Sequence, residues 1–109
     1  MNKRIGKVNI CDNPYTISVR DVVGDQNELA GQIRYYEYSI SIRDKLIKSA
    51  AISVLGHEIA HGVMVEGGAN EVFTNAQKEV VADIAGKVAT IMLNTKTSLQ
   101  SWSILLANK

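Results

Sequence analysis

The sequence holds one cysteine, one proline, one tryptophan and one phenylalanine in 109 residues. The single cysteine, Cys11, excludes an intrachain disulfide and a four-cysteine zinc site. No repeat, low-complexity tract or Pro/Ser linker divides the chain. A charge excess is lacking too, since 12 Lys+Arg face 11 Asp+Glu for a formal charge of +1. That balance argues against a dedicated nucleic-acid or anionic-membrane surface, both of which usually need a basic excess. Long apolar runs are missing: the most apolar stretch, Val80 to Leu93, is broken by Asp83 and Lys87. A bilayer span needs about 18 such residues. The basic start, Met1 to Ile10, has no unbroken apolar run of the kind a secretory signal carries. Hydrophobic residues are 46% and charged residues 21% of the chain, an ordinary globular composition. One soluble cytoplasmic domain spanning 1–109 is the expectation, with length for one core and no more. Histidine is the most telling scarcity, because only His57 and His61 occur.

The chain reads as strands first and helices second, an α+β domain. Ile5, Val8 and Ile10 open a β-type segment. Asp12-Asn13-Pro14 is turn chemistry. Tyr15, Ile17 and Val19 then alternate with Thr16, Ser18 and Arg20, the period of a half-buried strand. A third strand is expected from Gly31 to Tyr36 and a fourth from Tyr38 to Ile42, turning near Glu37. Short spacings predict a small antiparallel sheet of three or four strands. From Asp44 the apolar residues recur at helical steps up to Met64, with Gly67-Gly68 as a stop. Thr74 with Gln77 forms a capping box for a second helix over 75–93. Thr97 with Gln100 repeats the box for a short last helix, carrying Leu99, Trp102, Leu105 and Leu106 as a lid over the core.

His57-Glu58-Ile59-Ala60-His61 is H-E-x-x-H inside the first of these helices. At about 100° per residue, side chains four apart project about 40° from one another. Two imidazoles so placed can meet one tetrahedral zinc ion, with Glu58 on the same flank. Zinc takes neutral imidazole or carboxylate donors at about 2.0–2.2 Å, and a helix supplies two of them in fixed relation. Ile52, Leu55, Ile59 and Val63 form the other side of the helix, expected to bury against the sheet. A third protein ligand is needed. No histidine remains, Gly67 stands where the third histidine of a metzincin would fall, and Cys11 is distant in sequence. Glu66 and Glu71 are poorly placed beside the loop. Glu79 and Asp83 are better, four apart on one face of the second helix, whose other side is Val81, Ile84, Ala85 and Val88.

H-E-x-x-H followed on the next helix by E-x-x-x-D resembles the gluzincin metallopeptidases. The resemblance implies Glu79 as the third zinc ligand and Asp83 as the acceptor of the free ring N–H of His57. A broader likeness covers the whole chain. It is similar to small zinc-peptidase-like proteins of prophages and other mobile elements, and more distantly to the ImmA/IrrE peptidases. Gly31-Gln-Ile-Arg-Tyr35, Tyr38-Ser-Ile-Ser-Ile-Arg43, Val54 to His61 and Glu79 to Gly86 carry that likeness. No sensor or DNA-binding segment is expected beside them.

The expected function is zinc-dependent hydrolysis of peptide bonds within a polypeptide. Glu58 would act as general base toward a metal-activated water. With no spare histidine, the oxyanion falls to a tyrosine or an arginine. Tyr35, Tyr36 and Tyr38 cluster just before the H-E-x-x-H helix, and Tyr36 and Tyr38 are the candidates taken from it. A peptide or protein substrate would add as a strand at the sheet edge. The alternative is a zinc-containing module without turnover, such as an anti-repressor or inhibitor; Glu58 favours the enzyme.

Overall fold

The computed structural model describes residues 2–94 and 96–107, without the side chains of 94 and 96–99. The chain begins with a hairpin, β1 (Lys3–Ile10) and β2 (Asn13–Arg20). Its two-residue turn is Cys11-Asp12, with φ of 48° and 71°. Positive φ at both central residues matches the right-handed twist of flanking strands. The turn thus falls earlier than the proline suggests. Pro14 sits inside β2, opposite Asn9 and before the stretch that pairs with the next strand, which starts at Thr16. Its missing N–H is harmless there. A bulge between Arg4 and Gly6 kinks β1, which is an outer strand, and bulges and lysines both discourage edge-to-edge pairing.

After a loop over 21–30 come β3 (Gly31–Arg34), a 3-10 turn (Tyr35–Glu37) and β4 (Ser39–Arg43). The sheet order is β1-β2-β4-β3. Strands β1–β2 and β3–β4 pair antiparallel, but β2 and β4 run parallel. The expected all-antiparallel sheet is therefore corrected to a mixed one. The physical reason is the loop, long enough to carry the chain past one strand position so that β4 returns into the gap. The third strand also ends at Arg34 rather than Tyr36, because the chain coils into the 3-10 turn and leaves it through Tyr38 at φ 49°.

Alternation along the strands sends Ile10, Tyr15, Ile17, Ile40 and Ile42 into the core, where all are buried. Helix α1 (Lys48–Glu66) covers that core with Ala51, Val54, Leu55 and Ile59. It starts four residues later than the periodicity suggests. Asp44 Oδ1 accepts the N–H of Lys45, whose φ is 66°, and such local bonding competes with a helical turn. At the far end Gly67 N–H donates to Val63 O at 2.8 Å and Gly68 takes φ 81°, the glycine stop expected. There Tyr15 Oη donates to Glu66 Oε1 at 2.7 Å, and Asn13 Nδ2 to Glu66 Oε2. Burial and the Glu66 carboxylate push the Tyr15 hydroxyl well above its ordinary pKa. Glu66 is thereby committed to fastening α1 onto β2.

Helix α2 (Asn75–Asn94) follows, and its capping box forms in full. Gln77 N–H donates to Thr74 Oγ1 at 3.2 Å and Thr74 N–H to Gln77 Oε1 at 2.8 Å. The helix α3 (Lys96–Ala107) ends the described chain and touches α2. Three expectations about apolar faces are overturned. Val81, Ile84 and Val88 point outward with Val80 and Ile91; α2 instead meets α1 through small residues, with Ala82 and Gly86 buried. Val63 on α1 is exposed as well. Nor is α3 a lid, since Trp102, Leu105 and Leu106 are 45%, 61% and 66% exposed. The side chains of Thr97 and Leu99, in the last capping box and apolar stripe, lie outside the described residues. Among the described residues no helix is long and apolar enough to cross a membrane.

Candidate metal centre

Helix α1 turns two sides inward. Ala51, Val54, Leu55 and Ile59 face the sheet, while His57 and His61, one turn apart, face α2. Glu58 lies toward the sheet and is only 8% exposed, the one charged residue in the chain's described interior. Gly31 of β3 makes room for it, since a Cβ there would stand 3.3 Å from Glu58 Cγ and collide with Val54. The edge strand thus lies directly over the H-E-x-x-H turn.

The two helices approach closely because glycines meet. At Gly86 an added Cβ would stand 2.5 Å from the carbonyl oxygen of Ser53. At Gly56 it would stand 3.1 Å from Gly86 Cα. Ser53 lies one turn before His57 on α1, and Gly86 lies one turn after Asp83 on α2. The crossing therefore sets the distance between the histidines of α1 and the carboxylates of α2. Gly86→Ala is expected to force the helices apart and cost about 1–3 kcal/mol of stability, typical of overpacking. Metal affinity should fall with it, while Lys87→Ala on the exposed side should change neither. Thermal unfolding and metal titration of the two variants check this.

Across that crossing the side chains converge. His57 Nε2 lies 3.2 Å from His61 Nε2 and 3.1 Å from Glu79 Oε2, and His61 Nε2 lies 3.3 Å from Glu79 Oε1. On the other side of its ring, His57 Nδ1 lies 2.9 Å from Asp83 Oδ1. A carboxylate accepts only, so Nδ1 carries the proton, and in the neutral ring Nε2 presents its lone pair. Two acceptors, His57 Nε2 and Glu79 Oε2, then face each other at 3.1 Å. Such a pair needs a cation or proton between them. Donors bonded at about 2.0–2.1 Å to a tetrahedral ion stand about 3.3 Å apart, the spacing found here. His57, His61 and Glu79 form a group that could hold a metal ion. Asp83 stands behind His57, where a carboxylate fixes the ring's orientation and raises its basicity.

The expected ligand set and its supporting carboxylate thus come together in space. Among the other acids weighed from sequence, Glu66 is bound to Tyr15 and Asn13, and Glu71 lies exposed in a 3-10 turn. Cys11 is exposed at the tip of the hairpin.

An open cavity of about 400 Å³ fronts the group, lined by Gly31, Ile33, Tyr35, His57, Glu58 and His61 among others. Burial raises the Glu58 carboxyl above its ordinary pKa, and the Glu79 charge adds to this; positive charge at the His57–His61 position and the Ile33 backbone act in the opposite direction. The aromatic residue in the cavity is Tyr35, half-buried on the 3-10 turn. Its hydroxyl is held above its ordinary pKa, first by burial and then by the charges of Glu58 and Glu79. Tyr36 projects fully into solvent, and Tyr38 packs edge-on against Tyr15 with ring centroids 5.4 Å apart. Neither lines the cavity. Tyr36 and Tyr38, the candidates taken from the tyrosine cluster, thus lie outside the cavity, because a 3-10 turn at 35–37 fans successive side chains out.

Compared with protein-family models, with curated proteins and with solved structures, the chain finds no match.

Proposed function

We propose that this protein is a zinc-dependent peptidase of the gluzincin type, cleaving within polypeptide chains. The observation that carries the reading is Glu58, a buried carboxylate beside a two-histidine, one-carboxylate group at the wall of an open cavity. A group that only stiffens the fold has no use for a buried acid there, whose desolvation is unfavourable. The donor set of two imidazoles and one carboxylate suits zinc, which in catalytic sites keeps a fourth position for water. When bound, zinc lowers the pKa of that water and polarises the scissile carbonyl.

The remaining chemistry falls to the chain's own groups. Glu58 accepts a proton from the attacking water and delivers it to the leaving amine. His57 and His61 stay neutral as ligands, with Asp83 holding the His57 tautomer. Tyr35, whose hydroxyl burial holds above its ordinary pKa, donates that hydroxyl to the oxygen that becomes negative. The outer edge of β3, whose one strand partner among the described residues is β4, receives the substrate as an added strand alongside the cavity.

Hydrolysis of an unfolded protein by the zinc-loaded chain, stopped by a chelator and restored by zinc, tests the reading. Tyr35→Phe is expected to lower kcat roughly 100- to 1,000-fold, as loss of one oxyanion donor does, with KM little changed. Tyr36→Phe and Tyr38→Phe should match the wild type. If Tyr36→Phe or Tyr38→Phe carries the loss and Tyr35→Phe does not, the oxyanion donor is wrongly assigned.

A further inference from the structure

The four strands carry Lys3, Arg4, Lys7, Arg20, Arg34 and Arg43, half of the chain's 12 basic residues, and no acidic residue. The near-neutral net charge conceals this segregation. Pairing sorts most of these residues onto the face that the helices leave open. One row across the sheet is Lys7, Thr16, Ser39 and Arg34; the next is Arg4, Ser18, Ser41 and Gln32. At the end of the face Arg20 stands beside Arg43. Like charges in adjacent strands repel, so an anion laid across them is favoured. Beside the loop over 21–30 it dips into a concavity of about 110 Å³, lined by Arg20, Gln32, Arg34, Ser39 and Ser41 among others. Glu37, at the rim, meets Arg34 at 3.5 Å with both side chains more than half exposed, a weak pair that a ligand can displace. Arg43 also donates to the carbonyl of Asn27.

This face and the metal centre share one strand. Along β3, Gly31 and Ile33 pair with Ile42 and Ile40 on the metal side, while Gln32 and Arg34 pair with Ser41 and Ser39 on the basic side. Gln32 borders both concavities. A strand added to β3 must send successive side chains alternately to the two faces. One set meets the metal centre and the other meets Gln32, Arg34 and the positive field behind them. We propose that the substrate is an acidic polypeptide segment, with Asp or Glu at the alternate positions that face the basic side of the sheet. The inference rests on the peptidase reading for its site and adds the substrate class. Nucleic acid is the weaker occupant, because no outward position on the four strands carries an aromatic side chain on which bases could stack.

The test measures binding apart from turnover, using zinc-loaded Glu58→Gln protein and fluorescent peptides that alternate Thr with Glu, Lys or Ser. The Glu peptide is expected to bind roughly tenfold more tightly than the Lys peptide, since several cross-strand charge pairs act together. The difference should shrink as salt is raised, because exposed charges are screened. Arg34→Glu should remove or invert the preference, and the exchange of charge on the peptide reads the same contact without altering the protein. Equal binding of Glu and Lys peptides overturns the proposal. Tighter binding of oligothymidylate than of the Glu peptide overturns it as well and assigns the face to nucleic acid. The two readings fail separately. Wild-type cleavage of the Ser peptide with no charge preference sinks the docking surface alone, whereas a charge preference without cleavage of any peptide supports docking and removes the peptidase.

Discussion

Replacing Glu58 by Gln is expected to leave the metal in place and to lower kcat roughly 100- to 10,000-fold. The two side chains have the same shape, so the packing against Gly31 is kept. What changes is basicity, because an amide oxygen cannot take a proton from water at neutral pH. Burial is what suits this position to proton transfer. With 8% of its surface exposed, Glu58 is held as a stronger base than an exposed carboxylate. Removing a buried charge also removes its desolvation cost, so the variant should be no less stable than the wild type. Turnover and thermal unfolding measured together separate the two effects. Full activity in Glu58→Gln would move the general base elsewhere. Loss of activity accompanied by loss of metal would mean that Glu58 is a ligand. If the cellular role persists without turnover, the metal serves a binding module instead.

The second large effect is a contrast between two acids one turn apart. Glu79→Ala removes one of three donors, and zinc affinity should fall by more than about 100-fold, beyond the range for a supporting residue. Asp83→Asn leaves all three donors and disturbs only the partner of His57 Nδ1, for which a loss of about 10- to 100-fold is expected. The distances distinguish the roles: Glu79 reaches both Nε2 atoms, whereas Asp83 reaches the opposite side of the His57 ring. Zinc titration against a competing chelator checks the order. If Asp83→Asn proves the more damaging, the ligand and its support have been interchanged.

What could be read from the residues follows how local the responsible physics is. His57 and His61 meet because a helix fixes the angle between positions four apart, and Glu79 and Asp83 share a face for the same reason. The capping box of α2 is equally local, two side chains and two amides. The strand faces, too, follow from period two alone. Sheet order is different, because the parallel pairing of β2 with β4 depends on where the loop over 21–30 carries the chain. The faces of α2 come out inverted because hydrophobicity places Val81, Ile84 and Val88 inside. Close helix contact selects small residues instead, and Ala82 and Gly86 take the interior. Tyr35 is hidden by one local event, the 3-10 turn that ends β3. A signal for it exists in its place directly after Arg34, at the end of the strand nearest the H-E-x-x-H helix. Only the folded chain shows which of three neighbouring tyrosines enters the cavity.

All of the proposed chemistry depends on a metal ion held between α1 and α2. Zinc content of the purified protein, after loading and removal of free metal, probes that ion without assuming any substrate. One ion per chain by the single-site rule, falling to none in His57→Ala with His61→Ala, is the predicted result. A loaded wild type without bound zinc, or with zinc that survives loss of both histidines, would contradict it.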